Sequence, residues 1–61
     1  MNSLNVHGVE RINVRSYEAK NTDGEPYQVI KIKLVSEKYG NIEITAFGIE
    51  EESIAITYGI E

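Results

Sequence analysis

Residues 26 to 36, PYQVIKIKLVS, alternate in side-chain character as cleanly as any stretch of the chain, and no other feature constrains the fold as strongly. Ile30, Ile32 and Leu34 share one parity, while Tyr27, Val29, Lys31, Lys33 and Val35 share the other. Successive side chains of a strand point to opposite faces. One face of this strand is therefore aliphatic, and the other mixes aromatic, β-branched and cationic groups. No stretch longer than a turn repeats apolar residues at helical spacing, so the chain reads as all-β.

The same alternation recurs on both sides. Leu4 and Val6 alternate up to His7-Gly8, and Val9 leads into Ile12 and Val14, with Tyr17 on the opposite parity. A glycine within a strand pattern predicts a bulge or bend, so residues 3 to 18 read as a long strand kinked at Gly8. KNTDGEP, SEKYGN and GIEEES carry turn chemistry, and Pro26 stands at the first residue of a strand, where proline is tolerated. The last run sets Ile54, Ile56, Tyr58 and Ile60 against Ala55, Thr57 and Gly59, and IEEES suits at most one helical turn.

Parity also predicts the hairpin registers. A loop of Thr22-Asp23-Gly24 puts Val14 opposite Ile32 and Ile12 opposite Leu34, although Asp-Gly alone favours a two-residue turn. A loop of Lys38-Tyr39-Gly40, with Gly40 left-handed, puts Leu34 opposite Ile44 and Ile32 opposite Ala46. A slip of one residue would set aliphatic side chains against polar ones. These registers give an antiparallel meander over 9–18, 26–36 and 41–47, with Ile12, Val14, Ile30, Ile32, Leu34, Ile42, Ile44 and Ala46 on the buried face. Ile32, at its centre, is the expected keystone of the core.

Three strands leave that face wet, and Leu4, Val6, Ile54, Ile56, Tyr58 and Ile60 are its natural cover. The expected architecture is a small five-stranded antiparallel sheet or barrel, SH3-like or oligonucleotide-binding-like. The alternative is a single curved sheet covered by a second copy. With 61 residues the chain reads as a single small β domain over 1–61, burying about 60% of its unfolded surface. So small a core favours self-association, as a homodimer.

Composition narrows the classes further. There is no cysteine for a disulfide or thiolate metal site. No apolar run approaches the ~18 residues of a membrane span, and no charged-then-apolar leader is present, so a soluble cytoplasmic protein is expected. The net charge of −4 is unevenly spread. Residues 1–36 hold five basic and four acidic side chains, whereas 37–61 hold Lys38 against six glutamates.

Under the predicted registers the second face collects Arg11, Asn13, Arg15, Tyr17, Tyr27, Val29, Lys31, Lys33, Val35, Glu43, Thr45 and Phe47. Arg15 faces Lys31, and Lys31 faces Phe47, with Glu43 diagonal to Lys33. Like charges across a strand pair repel by roughly 0.2–1 kcal/mol, which a bound anion would relieve. Cations on phosphates with bases on aromatic rings describe single-stranded nucleic-acid binding, with Arg11, Arg15, Tyr17, Tyr27, Lys31, Lys33 and Phe47 as contacts. Cations on an exposed strand also protect edges and cover apolar neighbours with their stems, without any ligand.

Catalytic chemistry finds little support. His7 is the sole histidine, and beside Gly8 it reads as a bulge residue rather than a catalyst. The serines lack a base at a recognisable spacing, and no glycine-rich phosphate loop or metal-ligand spacing occurs, so no cofactor or metal is expected. Glu50, Glu51 and Glu52 read as a solvated turn. The chain is expected to be a non-enzymatic binding protein. In the alternative class, those three glutamates form a protein-interaction or inhibitor surface for a host protein.

The segments NVHGVERINV and IEITAF resemble small β proteins encoded by bacteriophages and related mobile elements, over residues 4 to 47. The resemblance implies a viral protein working in the host cytoplasm, where compact DNA-binding proteins and compact inhibitors both occur. Small phage single-strand-binding proteins are similar in size and β content but usually less acidic.

Overall fold

The alternating segment is the middle strand of an antiparallel sheet in a computed structural model that describes residues 1–59. The strands are β1 (Arg11–Lys20), β2 (Pro26–Val35) and β3 (Ile42–Phe47), in the order β1-β2-β3. The described residues contain no helix. The sheet is open, with three strands where five, or a closed barrel, were expected. Strand ends differ from the expected meander by up to two residues.

The first hairpin has the expected register, with Val14 opposite Ile32, Ile12 opposite Leu34 and Arg15 opposite Lys31. Asn21 shows why a three-residue loop prevails over the two-residue Asp-Gly turn. Its Oδ1 accepts the N–H groups of Asp23 and Glu25, each at 2.9 Å, and its backbone pairs with Glu25 and Gly24. Gly24, at φ +83, takes the left-handed position that closes the loop.

The second hairpin is shifted by two residues from the expected pairing. Leu34 faces Ile42, Ile32 faces Ile44 and Ile30 faces Ala46. Gly40 is left-handed as expected, at φ +88, but its N–H donates to the Ser36 carbonyl at 3.0 Å. The Ser36 hydroxyl accepts the Tyr39 N–H, and Asn41 Oδ1 accepts the Ser36 N–H. These side-chain bonds make Glu37-Lys38-Tyr39 the loop. A two-residue shift preserves parity, so each side chain stays on its predicted face.

Both chain ends leave the sheet rather than extend it. Gly8 is a bend at φ +71, and a Cβ there would lie 2.9 Å from Tyr39 Cε2. The Glu10 N–H reaches the Val35 carbonyl, and the Glu10 carboxylate accepts the Glu37 N–H at 2.7 Å. These contacts tie the N-terminal segment to the 36–40 turn, so the expected long kinked strand from residue 3 begins only at Arg11.

The C-terminal segment turns back onto the start of β2. Gly48 donates to the Gln28 carbonyl at 2.8 Å and Glu51 to the Pro26 carbonyl at 2.7 Å. The Glu52 N–H bonds to the Ile49 carbonyl, so IEEES forms a β-turn, not a helical turn, with Glu51 at φ 63. The Gln28 side chain then spans the sheet: Nε2 donates to Ser16 Oγ at 2.8 Å, and Oε1 accepts the Ile54 N–H at 2.7 Å. With Ile54 anchored in this way, the expected fifth strand is absent among residues 54–59. Ile60, the end of that expected strand, lies outside the described residues.

Burial follows from these paths. Ile54 side-chain carbons would meet a Cβ at Gly48, which puts Ile54 over the Gln28 end of the even-numbered face. There Ile30 is 4% exposed, and on the other face Val29 is 1% exposed. The rest of the expected core is open: Ile12 is 59% and Val14 57% exposed, Ile42 and Ile44 are each 38% exposed, and Ile32 is half-buried. No segment of the described chain crosses those positions. Ile30→Ala is therefore expected to cost about 2–5 kcal/mol in urea unfolding. Ile49→Ala, at a side chain 67% exposed, should cost far less. Equal costs would contradict this placement of the core.

Candidate functional site

The odd-numbered face is built in cross-strand rows. Asn13, Lys33 and Glu43 form one row; Arg15, Lys31 and Thr45 the next; Tyr17, Val29 and Phe47 the third. Arg11 faces Val35 at one end, and Tyr27 faces Ala19 at the other. All seven residues singled out from the sequence on this face, Arg11, Arg15, Tyr17, Tyr27, Lys31, Lys33 and Phe47, thus lie on one side of the sheet. Four cations against the Glu43 carboxylate leave this face positive in a chain whose net charge is −4.

The shifted second hairpin corrects two neighbour relations. Lys31 faces Thr45 rather than Phe47, and Phe47 faces Val29 across from Tyr17. Aromatic and cationic side chains consequently segregate into adjacent rows instead of sharing one. Tyr17 is 48% and Phe47 69% exposed, while Val29 forms a sealed floor between them. Adjacent rows are separated by two residues along each strand, about 7 Å.

Glu43 is the second correction. It lies directly opposite Lys33, not diagonal to it, and its Oε1 is 3.7 Å from Lys31 Nζ. The pair is partly solvent-exposed, at 30% and 46%, so it contributes about 0–1 kcal/mol. The carboxylate also offsets part of the Arg15–Lys31 repulsion without a bound anion. Lys38, outside this face, stands 5.3 Å from the centroid of the Tyr39 ring.

Glu50, Glu51 and Glu52 are all exposed. The 49–52 turn brings Glu51 and Glu52, together with Glu18, around an open cleft that Tyr17 and Tyr27 also line. Pattern reading did not place carboxylates there, because the approach depends on long-range bonds from Pro26 and Gln28 to the C-terminal segment. Asn13 also escaped selection, although it lines a shallow concavity with Arg15, Lys31, Lys33 and Glu43. Its odd parity in β1 was the available signal.

Among the described residues, no group of three or more His, Cys, Asp or Glu side chains is arranged to hold a metal ion. Also among them, no helix is long and apolar enough to cross a membrane. Comparison with protein-family models, curated proteins and solved structures gives no match. Glu43→Gln tests the electrostatics of the face. It should lower stability by less than about 1 kcal/mol at low ionic strength, with the difference fading at high salt in paired thermal melts. A large, salt-independent loss would show that Glu43 has a structural role beyond charge compensation.

Proposed function

We propose that this chain is a non-enzymatic binding protein whose odd-numbered sheet face takes single-stranded nucleic acid. The observation that carries the proposal is the adjacency of the Arg15–Lys31 row to the exposed Tyr17 and Phe47 rings that flank buried Val29 on one face. Arg11, Arg15, Lys31 and Lys33 contact phosphates, and Tyr17, Tyr27 and Phe47 stack on bases. Base stacking tolerates any sequence, at about 1–3 kcal/mol per base, so the expected selectivity is for single strands rather than for a particular sequence. The reading places the protein in the cytoplasm, that of a host cell if a phage encodes it.

The acidic turn opposes this binding. Glu51 and Glu52 beside Tyr17 and Tyr27 repel phosphates at the aromatic end of the face. A second reading rests on the same turn, where Glu51 is held at φ 63 among exposed carboxylates. Left-handed conformation at a residue other than glycine is a form of strain that clusters at functional sites. In that reading Glu50, Glu51 and Glu52 dock a basic surface of a host protein.

Fluorescence titration with labelled oligonucleotides over a range of salt concentrations tests the proposal. Lys31→Ala/Lys33→Ala should weaken binding to all sequences alike and flatten the salt slope by roughly 0.7 for each phosphate that is no longer neutralised. Tyr27→Ala should weaken binding with little change in slope, because stacking releases no counterions. Neutralising Glu50, Glu51 and Glu52 should tighten it. Absence of binding by the wild type at low salt contradicts the proposal and favours the acidic docking surface.

A further inference from the structure

We propose that the even-numbered face is the interface of a symmetric homodimer, with the two sheets packed face to face. Two complete rows, Ile12–Leu34–Ile42 and Val14–Ile32–Ile44, present six aliphatic side chains and no charge. Such depletion of charge marks the centre of protein interfaces. Four of the six are more than a third exposed in the single chain. Among the described residues the terminal segments do not cover them, for Leu4, Ile56 and Tyr58 are themselves 65%, 73% and 88% exposed.

Area supports a second copy as the occupant. The chain exposes 5462 Å², whereas a compact protein of 6.9 kDa exposes about 4,000 Å². The excess is larger than the ~800 Å² that each partner contributes to an interface of standard size, and it is shared between the aliphatic rows and the exposed terminal segments. The radius of gyration agrees, at 14.2 Å against about 10.5 Å for a compact chain of this length. Among the described residues the buried apolar side chains of the core are Val29 and Ile30. A small domain with so few needs further burial to fold stably.

Charge selects which face pairs. Odd-numbered faces, each with four cations against one carboxylate, would repel across a two-fold axis. Even-numbered faces are neutral in the two central rows and self-complementary, as a two-fold interface requires. Sheets packed in this way lie about 10 Å apart with strands crossing near 30°. The two positive faces then point outward on opposite sides of the dimer.

Sedimentation equilibrium and thermal melting of the full chain test this without nucleic acid. The wild type should sediment at twice 6.9 kDa, and its melting midpoint should rise with protein concentration. Val14→Lys puts a charge into the interface and should weaken dimerisation by roughly a hundredfold or more. Asn13→Lys, one residue away on the opposite face, should keep the dimer mass. A wild type of 6.9 kDa with a concentration-independent midpoint overturns the proposal, as does a Val14→Lys chain that remains dimeric. If Val14→Lys does not fold, the concentration dependence of the wild-type midpoint decides.

Discussion

β1 and β3 both take their register from the backbone ladder of β2, and this shared pairing fixes the neighbours of each candidate side chain on the sheet. Because β2 is hydrogen-bonded on both edges, its alternation extends across three strands and divides the sheet into two unlike surfaces. One is aliphatic in its central rows. The other carries cations in adjacent rows beside a row of aromatic rings. The turn contacts of Asn21 and Ser36 hold the two registers in place, since each side chain satisfies backbone donors that another loop length would leave unpaired.

The same pairing explains why the chain is poorly packed when alone. Three strands bury a surface only where another segment crosses it, and Ile54 crosses a single end of the even-numbered face. The Gln28 side chain is decisive, since it holds β1 and the C-terminal segment together and commits that segment to the Pro26 end. The aliphatic rows beyond it stay uncovered by the described residues, and it is there that the proposed second copy packs, with the proposed ligand on the charged face. Glu43 tempers the positive rows from within the sheet, and the 49–52 turn does so from its end.

Pattern reading places each strand residue on its face correctly because parity survives the register shift of the second hairpin. It also finds Gly40 left-handed, although one position past the loop rather than inside it. It misplaces Phe47 relative to Lys31, because the shift depends on the side chains of Ser36 and Asn41 bonding across the loop. The five-stranded expectation fails for a related reason. Alternation in Leu4–Val6 and in Ile54–Tyr58 shows that these segments are able to form strands, but pairing is decided by distant partners. Tyr39 against Gly8 and Gln28 against Ile54 are such partners, and neither has a local signature.

The central claim is that one face of this sheet meets a ligand while the other meets protein. Side-chain NMR of isotopically labelled protein, titrated with an unlabelled single-stranded oligonucleotide, tests it most directly. The account predicts shifts in the Arg15 guanidinium, the Lys31 and Lys33 ammonium groups and the Tyr17 and Phe47 ring signals. The methyl signals of Ile12, Val14, Ile42 and Ile44 should stay in place. Shifts concentrated in those methyls, or none at all on the odd-numbered face, would contradict it.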